Sequence, residues 1–530
     1  MVYSCKNGYY HFSGVKGMKQ LHKALIILVG IFMLTLIGNP IVHRDTSLQF
    51  PLNSVLRQTG IANPSAEQVE VIVQKEPHYG SQVLLQQVGG ILVAELPLIN
   101  GFVAKVPVAK LGEFSHLTGV RQVSLNQPVA SAAKQDFADV NKLLPKKKIG
   151  KDTEFKPAKK LHNIFRQMVQ ADGLKEKGKG VTIAVLDSGI GKDSFSTSEI
   201  NLLDSVAIDP EATTVNDLYG HGTHVAGIIN AKGPKELTGI APEAGLINVK
   251  LGDDSGEVTE ADLLLGLEWV HDFKDAYGIK VVNLSVSSSV SQDYLDSPID
   301  AAVEELWLSG VTVVAAAGND KVDTSDVNFA PANDPFVITV GSVDGNGKDK
   351  AQEAVLSTWS KRGITPQGIA KPDVTAPGVD IISLLPEQDA ELATEHPEAM
   401  IDGKYLQMSG TSMATPVVSG AVALMLEANP SLTPDQIKQI LISTSIPYEN
   451  MVASAGVINA KKAVEAARDL HRLDSIITPG YNVWPLAEWV GDQQLSFEFT
   501  KASWRDLAWT KASWRYLVWT KASWRNTWDE

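Results

Sequence analysis

The chain has 530 residues, of which 44% are hydrophobic and 20% charged, a composition typical of a globular protein with room for more than one unit. Its formal net charge of −14 argues against nucleic acid as the main partner, because a phosphate-binding surface carries excess positive charge. The single cysteine, Cys5, excludes a disulfide framework and a thiolate metal site.

The N-terminal segment has the pattern of a secretion signal. A short basic lead at 18–23 precedes an uncharged apolar run at 24–38, in the order found in signal peptides. The run is short for a membrane span, which needs about 20 residues, but no clear cleavage site follows, so an uncleaved anchor stays an alternative. We therefore interpret residues 1–40 as an extension upstream of Met18 followed by a signal peptide or membrane anchor, which predicts a secreted or cell-surface protein.

Residues 65–130 predict a small separate domain. Strands are expected at 69–73, 91–98, 102–106 and 120–125, and helices at 79–88 and 108–117. Asn100-Gly101 is a strong turn signal between the second and third strands. The order β-α-β-β-α-β predicts a ferredoxin-like α+β module, and the lysine-rich stretch 131–170 after it is typical of a linker and cleavage region.

Residues 171–470 alternate between apolar, β-branched runs and helical patterns. Strands are predicted at 181–186, 245–251, 281–286, 311–316 and 337–340, and helices at 221–230, 259–276, 298–308, 412–428 and 433–443. Apolar strands separated by helices indicate an α/β domain with a parallel sheet covered on both faces. Functional groups in such domains lie at the carboxyl ends of the strands.

Polar residues occupy several of these positions. Asp187 and Asn319 each follow a predicted strand. Asp187 is either a turn aspartate or a functional carboxylate at the strand end, and Asn319 is either a turn residue or a side-chain oxyanion donor. His221 lies between glycines at a helix start; its spacing to His224 suits metal ligands, but no third ligand lies nearby, so we predict no metal and a structural His224. Ser412 begins a long apolar helix, either as an N-cap or as a nucleophile at the positive end of the helix dipole.

Three segments that contain these residues resemble the signature blocks of the subtilisin-like serine proteases. They read Val-Leu-Asp-Ser-Gly at 185–189, His-Gly-Thr-His-Val-Ala-Gly at 221–227 and Gly-Thr-Ser-Met-Ala-Thr-Pro at 410–416, and Ala-Ala-Gly-Asn at 316–319 resembles the family's oxyanion block. The order Asp, His, Ser separates this family from chymotrypsin-like enzymes and α/β-hydrolases. The similarity extends over residues of roughly 170–470.

The resemblance implies a subtilisin-like three-layer α/β fold with a mainly parallel sheet, and an endopeptidase that needs no cofactor for catalysis. Ser412 would be the nucleophile, His221 the general base and Asp187 the group that orients the imidazole, with Asn319 as oxyanion donor. Implied substrate-binding residues are Leu284, Ser285, Val286, Ser287, Ala316, Ala317 and Gly318. Structural calcium is common in the family, so the resemblance leaves Ca2+ open without locating a site.

The same resemblance implies a proenzyme. Residues 65–130 would be an inhibitor-like propeptide that assists folding of the peptidase domain at 171–470, blocks it, and is removed by self-processing between about 131 and 170. The implied partners are protein or peptide substrates and the chain's own propeptide. A catalytically silent scaffold protein and a serine esterase stay as alternatives, although every catalytic position carries the expected residue type.

Two features bear on the substrate cleft. Ser287-Ser288 stand where relatives often carry two glycines, so the pocket shapes are expected to differ. The segment 251–256 resembles the edge that faces this strand across the cleft. Its Asp253 and Asp254 predict a preference for basic substrate side chains.

A tryptophan-rich repeat occupies 480–530. Thr-Lys-Ala-Ser-Trp-Arg recurs every ten residues from 500, and seven tryptophans, from Trp484 to Trp524, fall on a five-residue grid. A helix would scatter these rings around its axis and an extended chain would alternate them, so we predict turns and short extended pieces. Cell-surface contact, glycan stacking and self-association are the functional interpretations, beside a tail that packs on the main domain.

Overall fold

The computed structural model describes residues 67–131, 163–191, 199–233, 237–320, 325–449, 451 and 454–469. The predicted extension and signal or anchor at 1–40, most of the linker at 131–170 and the tryptophan repeat at 480–530 lie outside the described residues.

The small domain, residues 67–125, is a four-stranded antiparallel sheet with two short helices. Its strands are β1 Gln68–Lys75, β2 Ile91–Leu96, β3 Gly101–Pro107 and β4 Val120–Leu125, in the order β2-β3-β1-β4, and its helices are α1 Ser81–Gln86 and α2 Leu111–Ser115. This is the element order that the sequence predicts. Val71 and Val73 pack in a core that belongs to this domain, whereas Ile72 belongs to the core of the main domain. Because successive strand residues point to opposite faces, one face of the sheet packs in the small domain's own core and the other packs against the main domain.

The main domain is built on an eight-stranded, mainly parallel sheet. The strand order is β14-β13-β12-β10-β6-β8-β7, and β17 also pairs with β13. The bounds are β6 Thr182–Asp187, β7 Leu202–Ala207, β8 Gly245–Lys250, β10 Ile279–Leu284, β12 Thr312–Ala316, β13 Ile338–Asp344, β14 Val355–Leu356 and β17 Val374–Pro377. Strands β6, β8 and β12 are buried along their whole length, which explains their continuous apolar sequences.

Two groups of helices cover this sheet. One consists of α4 Glu260–Tyr277 and α5 Pro298–Leu308, which pack together and against β10 and β12, respectively. The other is centred on α6 Thr411–Ala428, which packs on α3 His221–Asn230, on α8 Ala460–Arg468 and on β10, β12, β13 and β17. Helix α7, Pro434–Thr444, packs against α8. The three-layer arrangement expected from the sequence is confirmed.

Short elements complete the described part of the chain. They are β5 Pro128–Ser131, β9 Val258–Thr259, β11 Val286–Ser288, β15 Gly363–Ile364, β16 Ala370–Lys371, β18 Ile381–Leu384, β19 Met400–Ile401 and β20 Tyr405–Met408, with helical turns at Phe165–Met168 and Glu391–Glu395. Among the described residues, α6 alone is long and apolar enough to cross a membrane, but 89% of its span is buried inside the protein. Its apolar character therefore reflects its place in the core.

The small domain sits on α4 and α5. The turn Pro97–Ile99 contacts both helices, and the Leu98 backbone N–H donates to Glu268 Oε2 on α4 at 2.6 Å. Asn126, just after β4, accepts from the Ala261 backbone N–H in the first turn of α4 at 2.9 Å, and so satisfies a donor that a helix start leaves open.

The predicted strand at 281–286 is wrong at its end. Strand β10 ends at Leu284, and the chain enters a different three-stranded sheet as β11. Periodicity did not show this break because residues on both sides of it are buried. The elements that were not predicted include strands β5, β7, β14 and β17 and helix α8.

Candidate active site

Four predicted site residues lie at one edge of the main sheet. Asp187 is the last residue of β6, and Leu186 before it pairs with Leu284 at the end of β10. Asn319 follows β12, the neighbour of β10 on its other side. Ser412 lies in the first turn of α6, where its Oγ donates to the Ser285 carbonyl at 3.4 Å. Parallel strands bring their carboxyl ends to the same edge, which is why residues so distant in the chain meet here.

Asp187 and His221 form a buried pair. His221 Nδ1 lies 2.6 Å from Asp187 Oδ1, and the two side chains are 1% and 3% exposed. Helix α3 begins at His221, so the imidazole is carried on a rigid element. Gly222 allows this close approach, because a Cβ there would lie 2.1 Å from the Gly189 carbonyl oxygen. The geometry suits a carboxylate that holds one ring nitrogen and leaves the other for proton transfer.

Asp217, which is not among the predicted site residues, connects the residue after Asp187 with the start of the helix that carries His221. Its Oδ1 accepts from Ser188 Oγ at 2.9 Å and from the Gly220 N–H at 2.7 Å. Its Oδ2 accepts from the Thr223 N–H at 2.8 Å and from Thr223 Oγ1 at 2.7 Å. Burial raises the pKa of Asp217, and these four hydrogen bonds oppose the rise. An aspartate shortly before a helix start was the available signal, since such residues cap helices.

His224 lies in the core, and its ring bonds to backbone carbonyl groups. Its Nε2 lies 3.2 Å from the Ile381 carbonyl oxygen and 3.0 Å from that of Leu406, which places the ring proton on Nε2. Burial, with a smaller contribution from His221, lowers the pKa of His224 to about 3. The ring is therefore neutral at physiological pH and acts as a structural group.

Asn319 is oriented by the residue before Ser412. Its Oδ1 accepts from the backbone N–H of Thr411 at 3.1 Å and from Thr411 Oγ1 at 3.0 Å. Thr411 Oγ1 in turn accepts from the Gly318 N–H at 3.2 Å. Because the carbonyl end of the amide is held in this way, the Nδ2 end is fixed as a donor beside the helix that carries Ser412.

Two of the predicted substrate-binding residues, Val286 and Ser287, lie on one wall of a cleft that the chain itself fills. Strand β5 lies between β11 and β9 in one antiparallel sheet. Ser131, Ala130 and Val129 pair with Val286, Ser287 and Ser288, in that order, and Val129 also pairs with Val258. Leu284 and Ser285 directly precede β11. Ala316 is the last residue of β12, and Ala317 and Gly318 lead from it to Asn319. The carboxyl end of β5 points toward Ser285, the residue whose carbonyl accepts from Ser412.

The edge strand opposite β11 is Val258–Thr259, so the prediction that placed this edge at 251–256 was wrong by a few residues. Asp253 and Asp254 serve the preceding loop. Asp254 binds Lys250 Nζ at 2.6 Å, and Asp253 accepts from the backbone N–H groups of Ser255 and Glu257. Reversal of the chain direction inside this loop could not be inferred from side-chain pattern.

A calcium ion, which the family resemblance leaves open, does not fit the carboxylate group that the described residues offer. Glu268, His271 and Asp272 on α4 form the metal-compatible cluster found there. Calcium takes six to eight oxygen ligands, whereas this group supplies two carboxylates and a nitrogen, and one carboxylate already accepts from Leu98.

The fold and the site define a class of protein: a three-layer α/β domain with a buried Asp–His pair at the sheet edge and a serine in the first turn of a helix. A sequence model described as the subtilase family matches residues 178–474. Serine protease AprX of Bacillus subtilis is 35% identical over 56% of this chain and 69% of its own length. Subtilisin DY of Bacillus licheniformis is 31% identical over 57% of this chain and 96% of its own length.

Fervidolysin from Fervidobacterium pennivorans, described as a keratinolytic enzyme related to subtilisin, shares the fold. The TM-score is 0.55 at 24% identity, with 75% of this chain and 61% of that chain covered. The chain belongs to the subtilase family, and it is a subtilisin-like serine endopeptidase.

Proposed function

We propose that Ser412, His221 and Asp187 form the catalytic triad and that Asn319 supports the oxyanion. The observation that carries this proposal is the buried 2.6 Å pair of Asp187 and His221 at the sheet edge where Ser412 lies in the first turn of α6. A serine hydroxyl is a weak nucleophile until a base removes its proton. Asp187 holds the imidazole in the tautomer that accepts this proton and stabilises the imidazolium that forms.

The reaction follows from these positions. Ser412 Oγ attacks the carbonyl carbon of the scissile peptide while His221 takes the hydroxyl proton. The negative charge that develops on the carbonyl oxygen is met by the Asn319 Nδ2 group and the Ser412 backbone N–H. His221 then gives the proton to the leaving amine, the C–N bond breaks, and water hydrolyses the acyl-enzyme by the same steps.

Substrate is proposed to bind as an extended strand between β9 and β11. Strand β5 occupies this place with antiparallel pairing on one side to Val286–Ser288 and on the other to Val258–Thr259. Main-chain pairing of this kind gives affinity largely independent of sequence, and side-chain pockets add selectivity. The proposed binding residues are therefore Leu284 to Ser287 on one wall and Ala316 to Gly318 near the oxyanion site.

The small domain is proposed to be the propeptide, which assists folding and inhibits the enzyme. Its support is the continuity of the chain from β4, which belongs to the domain docked on α4 and α5, into β5 in the cleft. A substrate-like strand tethered to a docked domain has a high effective concentration, so it blocks other substrates until it is cut. We propose that residues 131–170 are the maturation region and that the first cut falls just after β5.

Chain mass tests the triad and the processing together. We expect wild-type protein to lose a fragment ending between about 131 and 170, near 132 if the strand in the cleft is the substrate, and Ser412→Ala to keep its full mass. Identical processing of both proteins would mean that another protease matures the chain. Catalysis itself is tested separately on a peptide substrate, where loss of activity in Ser412→Ala is expected.

Location and the tail complete the proposal. The basic and apolar pattern at 18–38 supports export to the outside of the cell, as a secreted or surface-attached enzyme. The tryptophan repeat at 480–530 is proposed as an accessory segment for surface contact. Fractionation of cells that express the full chain tests the first proposal, and retention of the protein in the cytoplasm would contradict it.

A further inference from the structure

Glu260 is a carboxylic acid buried beside the strand that fills the substrate cleft. It is the first residue of α4, directly after β9, and it is 4% exposed. Its Oε1 accepts from Ser288 Oγ at 2.8 Å. Because Ser288 is the last residue of β11, this hydrogen bond joins the two edges of the cleft. The proposed peptide-bond chemistry makes no use of this carboxyl group.

Val129 occupies the cleft at the level of this hydrogen bond. It is the residue of β5 that pairs with both edges, with Val258 on β9 and with Ser288 on β11. Val129 is 5% exposed and belongs to the main core, whereas Pro128 before it is exposed. Since strand residues alternate between faces, the Val129 side chain points into the protein. The pocket that receives it therefore lies beside Glu260.

A valine at this place supplies no positive charge to Glu260. Burial raises the pKa of Glu260 to about 7, and the Ser288 hydroxyl opposes only part of the rise. Asp262, two residues further along α4, is engaged by Thr259, and Gln127, whose carbonyl accepts from the Glu260 N–H, is uncharged. Above pH 7 the site therefore holds a buried carboxylate, which is costly without a cation.

We propose that Glu260 selects substrates with a lysine or arginine side chain at the position that Val129 takes in this structure. The inference rests on the proposed binding of substrate between β9 and β11. A basic side chain there pairs with the carboxylate in a site partly shielded from water, where the attraction between charges exceeds that in bulk water. An apolar side chain leaves the charge buried and unpaired, so the same group disfavours apolar competitors. Asp253 and Asp254 do not fill this role, because they bind within their own loop.

Matched peptides test the charge alone. Three peptides with the sequence of residues 126–136 are made, one with the natural valine at position 129 and two with arginine or citrulline there. Citrulline has nearly the shape of arginine without its charge. The full chain is first incubated until processing is complete, and kcat/KM is then measured at pH 8.5 and pH 6. We expect arginine to exceed citrulline about tenfold at pH 8.5, the effect of one shielded ion pair, and by less at pH 6, where Glu260 is protonated.

Two variants test which carboxylate causes the preference for arginine. Glu260→Gln is expected to bring the arginine-to-citrulline ratio close to one at both pH values, whereas Asp253→Asn is expected to keep the wild-type ratio. A wild-type ratio near one, an unchanged ratio in Glu260→Gln, or a loss confined to Asp253→Asn would each overturn the proposal. The pH comparison on wild-type enzyme needs no variant, so it decides even if Glu260→Gln does not fold. If wild-type enzyme cleaves none of the three peptides, that result would instead overturn the proposed function and this inference with it.

Discussion

Substitution of Asp217 by asparagine probes how His221, the proposed general base, is held. The carboxylate accepts hydrogen bonds from four donors on three residues, namely Ser188, Gly220 and Thr223. Asparagine has the same shape, but one of its ends carries an NH2 group that only donates. Whichever way the amide is turned, that end meets one backbone N–H and one hydroxyl. The hydroxyl can rotate and accept, whereas the backbone N–H loses its acceptor.

The expected loss of stability follows from this count. A buried N–H without an acceptor costs about 1–3 kcal/mol, and hydrogen bonds to a charged group exceed those to a neutral group by about 1 kcal/mol. Asp217→Asn should therefore lower the free energy of unfolding by about 2–4 kcal/mol. Because the freed donors belong to the start of α3 and to the residue after Asp187, His221 should also shift. Small displacements of catalytic groups reduce turnover up to about a hundredfold, so kcat should fall while KM changes little.

Denaturant unfolding of the variants in a Ser412→Ala background gives the stability change without self-cleavage. Activity is measured on a peptide substrate with the unmutated serine. Asp349→Asn, which removes an exposed carboxylate, is the matched control and should affect neither quantity. Asp217→Asn with wild-type stability and kcat would refute the inferred role. A stability loss with unchanged kcat in the folded fraction would restrict Asp217 to a structural role.

Three further predictions concern the site, the core and the tail. Asn319→Ala should lower kcat by about 10²–10³, the range known for the oxyanion asparagine of subtilisin itself, with KM little changed; wild-type turnover would remove Asn319 from the mechanism. His224 has a pKa of about 3 in the folded chain against about 6.5 unfolded, so the unfolded chain binds the proton first as pH falls. Its stabilising contribution should be complete above pH 6.5 and decline toward pH 3 by up to about 5 kcal/mol. Unfolding curves of Ser412→Ala with and without His224→Gln, recorded at several pH values, measure how the free energy of unfolding changes with pH. The same pH dependence in both proteins would contradict this prediction. Deletion of residues 480–530 should leave peptide hydrolysis intact, and a folded truncation without activity would show that the tail is not accessory.

The sequence by itself determined the fold class and the candidates for catalysis. Asp187 follows a run of apolar residues that forms β6, and α3 begins at His221 as predicted. Helix α6 begins at Thr411, one residue before the predicted start at Ser412. These signals are local, because the pattern of apolar residues within a strand or helix shows which part of that element is buried. The order of the three motifs adds the family, which the comparisons confirm.

Tertiary structure decided how these residues are supported and what lies in the cleft. Strand β5 has four residues, and its partners lie about 130 and 160 positions further along the chain. No local pattern encodes that pairing, because it depends on the docking of the small domain on α4 and α5. Asp217 is likewise indistinguishable in sequence from a turn aspartate until Ser188 and Thr223 are brought to it. Glu260 has the sequence features of an acidic residue that favours a helix start, and only its contact with Ser288 shows that its carboxyl group lies beside the strand that fills the cleft. Hydrophobic periodicity reports which face of an element is buried, whereas a site is made by groups from several elements whose distances exist only after packing.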